Sequence, residues 1–340
     1  MAAPAIEHLA WVEDDMRRMK ALVRVGASIV FSALTLCGGP SLAQSWPQRP
    51  VKFILPLGPG AGADIGARLF ADRLTKRWGQ PVVVENRPGA DGVVAITAFI
   101  SAGDDHTLLF GPSSSFVAHP YLHDKMPYDP AELAPIARIS NTLVSVATPA
   151  SLNVGSLKDL IDMVRAQPGK LNWTTITGVT DFIVAGFLKS AGLDMTRIPY
   201  RDTVQALNDL GEGRIQLYVA ALAIVRPQLQ AGRIKLLAIT NHERAPDAPE
   251  LPTVTEAGYP ALGFDGLVGL FGPRQMPDEL RSRIAADIRA VAEDPEIKTR
   301  LTATGQLVRP GTAAEFAAAI EEQAAQLAEF TKALGIKRAQ

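Results

Sequence analysis

Three short stretches hold residue types that could bind or transform a small molecule. The first, ILPLGPGAGADIGARL (residues 54–69), runs an apolar segment into Gly58, Pro59, Gly60, Ala61, Gly62 and Ala63, then Asp64, then a helical pattern. A glycine-rich turn from strand to helix presents backbone N–H groups with partial positive charge, which suits an anion. No Gly-Lys-Ser/Thr follows, so this is no Walker A loop, and Gly58, Gly60, Gly62 and Gly66 do not give G-x-G-x-x-G. What remains fits a carboxylate, each charge-assisted bond contributing roughly 1.5–3 kcal/mol. A tight turn that only packs strand on helix is the competing reading. Asp64 would repel an anion and is expected to cap the helix as its N-cap.

The second stretch, GPSSSFVAHP (residues 111–120), follows a strand and offers the hydroxyls and amides of Ser113, Ser114 and Ser115. It lacks the G-x-S-x-G elbow of a hydrolase nucleophile, so a polar ligand contact is expected, or a plain serine-rich turn. The third, TTITGVTDF (residues 174–182), is its counterpart in the second half, with Thr174, Thr175, Thr177, Gly178 and Thr180. His119 and His123 have a metal-binding spacing, but Pro120 lies between them and no third ligand stands out, so no metal is expected. Arg201 could pair a carboxylate or merely neighbour Asp202. No acid, base and nucleophile converge, which argues against an enzyme and for no cofactor. An exported serine hydrolase using Ser114 with His119 is the lowest-ranked alternative.

These stretches sit at the ends of alternating elements. VKFILPL (51–57) is a continuous apolar run, as in a strand buried on both faces. A helix follows Asp64, with Ile65, Leu69, Leu74 and Trp78 on one side, and Gly79 and Pro81 stop it. VVVEN (82–86) and TLLFG (107–111) read as strands around a helix over 93–102. SLKDLIDMVRAQPG (156–169) reads as a helix capped by Ser156, and further helices are expected near 181–191, 277–293 and 312–335. LNWTT (171–175), TRIPY (196–200), IQLYVA (215–220) and KLLAIT (235–240) read as strands, and HERAPDAPELPTVTEAGYP (242–260) as an ordered surface crossover. The alternation predicts an α/β protein with mostly parallel sheets.

The chain has 340 residues, net charge −1, 47% hydrophobic and 20% charged residues, a globular balance with no basic face for nucleic acid. Residues 1–43 read as a signal peptide, with a basic segment (Arg17, Arg18, Lys20, Arg24), a short apolar one (Val25 to Gly39) and a small-residue cleavage pattern ending at Ala43. The acidic residues before Met16 suggest a true start at Met16 or Met19. The one cysteine, Cys37, falls inside this signal, so the mature chain would be cysteine-free and periplasmic.

From about Trp46 to Lys337 the chain resembles the Bug family, the periplasmic receptors of tripartite tricarboxylate transporters. The resemblance rests on WPQRPVKFILPLGPGAGADIGARL, GQPVVVENRPGADG, MPYDP, PGKLNW, IPYRDTVQALNDL, LQAGRIKLLAIT, LPTVTEAGYP and GLFGP, in family order and spacing. It implies a two-lobed type II periplasmic binding fold with the ligand cleft between lobes: residues 44–145 plus 264–340, and residues 146–263. It implies a monomeric receptor for a small carboxylate, delivering it to membrane permease subunits; a sensor handing its signal to a histidine kinase is the alternative. Gly58 to Ala63 would supply N–H groups to the carboxylate, and Ser113 to Ser115 and Thr175 to Thr180 would complete the cleft, with Ala220 on its wall. This chain departs from the family at Gly58-Pro59-Gly60-Ala61 (usually P-P-G-G), at Ala220-Ala221 (often Asp-Asn) and at Leu267-Val268 (usually aromatic). The last two imply a less polar, less aromatic cleft and a more apolar acid.

Overall fold

The computed structural model describes residues 46–175, 178–200 and 202–339. The signal-peptide expectation, Cys37, Thr177 and Arg201 lie outside them. Residues 49–340 form one unit built on two sheets.

The first sheet contains β1 (Val51–Leu55), β2 (Val82–Asn86), β3 (Thr107–Pro112), β4 (Leu133–Thr142), β10 (Gly266–Pro273) and β11 (Gln306–Gly311), in the order β11-β4-β10-β3-β1-β2. The second contains β5 (Val144–Pro149), β6 (Asn172–Thr175), β7 (Thr196–Arg197), β8 (Leu217–Ala221) and β9 (Ile234–Ile239), in the order β7-β6-β8-β5-β9. Between them run α1 (Gly62–Trp78), α2 (Val93–Ala102), α3 (Ser114–Leu122), α4 (Leu157–Ala166), α5 (Val179–Ser190), α6 (Thr203–Gly211), α7 (Leu222–Gln230), α8 (Asp278–Ala292), α9 (Pro295–Ala303) and α10 (Ala313–Ala333).

Both sheets are mixed, which corrects the expectation of mostly parallel sheets. β1 pairs in parallel with β2 and β3, and β6 with β7 and β8. The strands that carry the chain between sheets cannot follow that rule. β4 ends at Thr142, where the chain leaves the first sheet, and β10 begins at Gly266, where it returns; these two residues are partners, so the strands run antiparallel. β5 departs from the same crossing beside the end of β9, with Ser145 opposite Ile239, and is antiparallel for the same reason.

The helix expectations fare well where the signal is local. α2 spans the expected residues, and the Ser156 side chain accepts from Asp159 N–H as the N-cap of α4. TRIPY yields only a two-residue strand. The core of the first sheet is aromatic: Phe53 and Phe110 stack at 5.7 Å, and Phe271 packs Phe116 at 5.1 Å and Phe316 at 5.0 Å. Residues 242–259 contain no helix or strand; Ala245, Leu251 and Val254 are buried, and Thr253 bridges Ile239.

Candidate functional site

A cavity of about 190 Å³ opens where the ends of the two sheets meet. Leu57, Asp91, Pro112, Ser114, Ser115 and Thr142 line it from the first sheet's side. Val144, Gly178, Val179, Thr180 and Ala221 line it from the second, and Phe264, Asp265 and Gly266 from the returning crossover.

Two helix N-termini end in this cavity. Ser114 and Ser115 are the first residues of α3, which follows β3; Val179 and Thr180 are the first of α5, which follows β6. First-turn N–H groups have no intrahelical acceptor, and the aligned peptide dipoles leave partial positive charge there. The α3 turn is set by Ser113, whose carbonyl accepts from Phe116 and Val117 N–H. The α5 turn is entered through Gly178 at φ 98°, and among the described residues a Cβ added there would meet nothing within 4 Å. A site with backbone donors, hydroxyls and an apolar floor can hold a small anion without a metal, and among the described residues no cluster suits a metal ion.

Several expected contacts are placed elsewhere. Ser113 is buried, its hydroxyl donating to Gln323 Oε1 at 2.9 Å and its amide to the Leu267 carbonyl at 2.9 Å, so both donors are committed away from the cavity. Thr175 donates to Asp181 Oδ1 at 3.0 Å. Ala220 points into the core and Ala221 lines the cavity, a one-residue difference that strand alternation turns into opposite faces. Leu267 and Val268 are core residues of β10, so their lack of aromaticity does not shape the cavity.

The glycine loop is also different from its expected form. Gly58 to Ala63 do not line the cavity, which their stretch reaches only through Leu57. Gly60 N–H donates to Asp64 Oδ2 at 2.9 Å, and Ala61 N–H to the Gly58 carbonyl at 3.4 Å. A Cβ on Gly62 would meet Gln306 Nε2 at 2.9 Å, so this glycine serves close packing of α1 on β11. Asp64 is not the N-cap. Ala61 holds that position without a side-chain bond, and Asp64 sits in the first turn, reaching back to Gly60. Asn86 Nδ2 donates to Asp64 Oδ1 at 2.8 Å and to the Leu57 carbonyl at 2.9 Å, and Arg68 pairs with the same carboxylate at 3.0 Å. Burial pushes the Asp64 carboxyl up, but the bonds from Arg68, Asn86 and Gly60 together hold it below the usual carboxylate range.

The hydrolase arrangement is absent. His119 lies five residues after Ser114 on the same helix, which turns it to a different face. Its Nδ1 meets Tyr128 Oη at 2.6 Å and its Nε2 the Asp91 carbonyl at 3.1 Å. A carbonyl only accepts, so Nε2 carries the proton and Tyr128 donates to Nδ1. Burial lowers the His119 pKa, the carbonyl and the nearby charge of Asp91 opposing that fall only in part, which keeps this neutral tautomer. Burial also raises the Tyr128 pKa.

Asp91, Thr142, Val144, Phe264, Asp265 and Gly266 are cavity residues that sequence reasoning missed. Asp91 stands in GQPVVVENRPGADG, a stretch that carries the resemblance, and nothing in its residue types aims a carboxylate at a ligand. The others lie at strand ends or just before β10, where the chain passes between sheets, and their proximity is set by topology alone.

The model of the family described as tripartite tricarboxylate transporter family receptor matches residues 66–336. The chain belongs to this family. It is 30% identical to the protein BugT of Bordetella pertussis over 76% of this chain and 80% of that one. It is 28% identical to a UPF0065 protein of Bordetella bronchiseptica over 94% of this chain and 97% of that one. Among solved structures it is similar to an R. palustris protein with adipate (29% identity, TM-score 0.73, 86% of this chain and 99% of that chain). It is likewise similar to MatC of Rhodopseudomonas palustris with bound malate (28% identity, TM-score 0.69, 84% and 99%). The fold is therefore the two-lobed α/β fold of periplasmic binding proteins, and the family is one of solute receptors, not enzymes.

Proposed function

We propose that this receptor captures a small carboxylate in the cavity between its two sheets and delivers it to the permease of a tripartite tricarboxylate transporter. The observation that carries the reading is the pair of helix N-termini, α3 and α5, which open into one cavity from opposite sheets. An anion bound there would gain charge-assisted bonds from both sides, and so favour closure of the lobes over it. Adipate and malate, found with two structural relatives, show that proteins of this fold hold small carboxylic acids. Residues 44–145 with 264–340, and residues 146–263, would be the moving lobes. The ligand contacts would be Ser114, Ser115, Gly178, Val179 and Thr180, with Gly58 to Ala63 approaching only on closure. The N-terminal 43 residues would direct export to the periplasm.

Titration calorimetry with small mono- and dicarboxylates, alongside mass spectrometry of acids that co-purify with the protein, tests the capture step. Binding of at least one acid, weakened when Ser115 is replaced by a bulky residue, is expected. Failure of every acid to bind or to raise the thermal midpoint would overturn the reading. Delivery is tested by reconstituted uptake: acid should accumulate in permease-bearing vesicles only when receptor is present.

A further inference from the structure

The cavity lining combines anion-binding donors with acidic side chains. The first turns of α3 and α5 supply amides and hydroxyls, yet the same lining carries the carboxylates of Asp91 and Asp265 and, among the described residues, no Lys, Arg or His. Asp265 Oδ1 is engaged within the fold: Asn241 Nδ2 donates to it at 3.1 Å and His242 N–H at 3.4 Å. Among the described residues no hydrogen bond or ion pair reaches the Asp91 carboxylate, which is exposed at the cavity.

The position of Asp91 is enforced. Ala90 and Asp91 have φ of 45° and 55°, a left-handed conformation that non-glycine residues adopt only when their surroundings hold them there. The Asp91 carbonyl accepts from buried His119, which Tyr128 fixes in turn. Next to it, a Cβ on Gly92 would stand 3.3 Å from Ser115 Cβ, so the turn rests on the start of α3. A full negative charge is thereby held beside the partial positive charge of the α3 N-terminus.

We propose that the physiological ligand is a small zwitterion, a carboxylate carrying a cationic nitrogen a few bonds away, with the nitrogen against Asp91. The carboxylate would lie on the first turns of α3 and α5, so this inference rests on the receptor reading above. Asp91 is then the specificity-determining residue: it attracts the cationic end and repels the second carboxylate of a dicarboxylate.

Calorimetry on matched pairs decides the matter: γ-aminobutyrate against butyrate, β-alanine against propionate, and glycine betaine against succinate. The wild-type protein should bind the zwitterion of at least one pair more tightly by about tenfold or more. Asp91→Asn is the informative variant, because asparagine tolerates the left-handed conformation and keeps the shape. It should erase that preference, weakening the zwitterion and strengthening the plain acid, with its thermal melt close to wild type. A wild-type protein that prefers the plain acids, or a preference that survives Asp91→Asn, would overturn the proposal while leaving the carboxylate receptor intact. Failure of every compound, zwitterion and plain acid alike, would overturn both readings.

Discussion

At residue scale the most exacting position is Gly178. It enters α5 at φ 98°, it lines the cavity, and among the described residues nothing stands within 4 Å of its missing Cβ. Gly178→Ala should therefore act twice. The positive φ destabilises alanine by roughly 1 kcal/mol, and the methyl enters the space the ligand would use. Calorimetry should show ligand binding weakened far more than the melt is lowered; equal, small effects on both would mean that the α5 entrance is not a contact. His119 makes a second residue-scale prediction. Its folded pKa is depressed, so the unfolded chain takes up the proton first as pH falls. Its contribution to stability is full above the unfolded value, near about 6.5, and is lost as pH falls from there toward the folded value. Thermal midpoints should drop between about pH 7 and 5, and His119→Gln should flatten that drop while lowering the midpoint at neutral pH. A wild-type profile unchanged in the variant would assign the acid sensitivity elsewhere.

At element scale, what could be read from the sequence divides along local and non-local lines. Ser156 announces α4 through its own side chain, and Ser156→Ala should cost about 1 kcal/mol in a denaturant titration. The apolar run of β1 and the glycine turn after it were equally legible, because a strand buried on both faces writes itself as a hydrophobic run. β4 and β11 were not. Ser140 and Thr142 break the apolar run of β4, and their partner is Gln306, more than 160 residues away, bonded at 3.0 Å to each. Nothing in LAPIARISNT says that its polar atoms will be satisfied in this way. The site followed the same division. Serines and threonines at strand ends marked the two helix starts that line the cavity, whereas Asp91 and Asp265 required the folded turn and the crossover to be seen. Glycine alone does not mark a ligand contact, because it also serves packing: Gly62 gives room to Gln306, and Gly186 gives room on α5 for the Phe330 ring of α10, with which a Cβ would collide.

At the scale of the whole molecule, the chain passes between sheets at places that a single side chain ties together. Asn241 Oδ1 accepts from Val144 N–H at 3.0 Å, at the start of β5. Its Nδ2 donates to the Thr142 carbonyl at 3.0 Å, at the end of β4, and to Asp265 at 3.1 Å, just before β10. Leu143, the one residue between β4 and β5, donates to the Gly305 carbonyl at 2.8 Å and accepts from Leu222 N–H at 2.8 Å. If the two sheets move as lobes, this knot is where the movement must be absorbed, and Asn241 limits it to motions that keep all three bonds. Asn241→Ala would leave the buried Val144 amide without that partner, at about 1–3 kcal/mol, and would remove a donor from the half-buried Thr142 carbonyl. The melt should fall accordingly. A looser knot should also widen the distribution of lobe angles, so small-angle scattering of the variant should show a larger radius of gyration without ligand and a larger decrease on adding it. A variant that loses stability but scatters like the wild type in both conditions would show that Asn241 only supports the fold, and that the hinge lies in other bonds of the crossing.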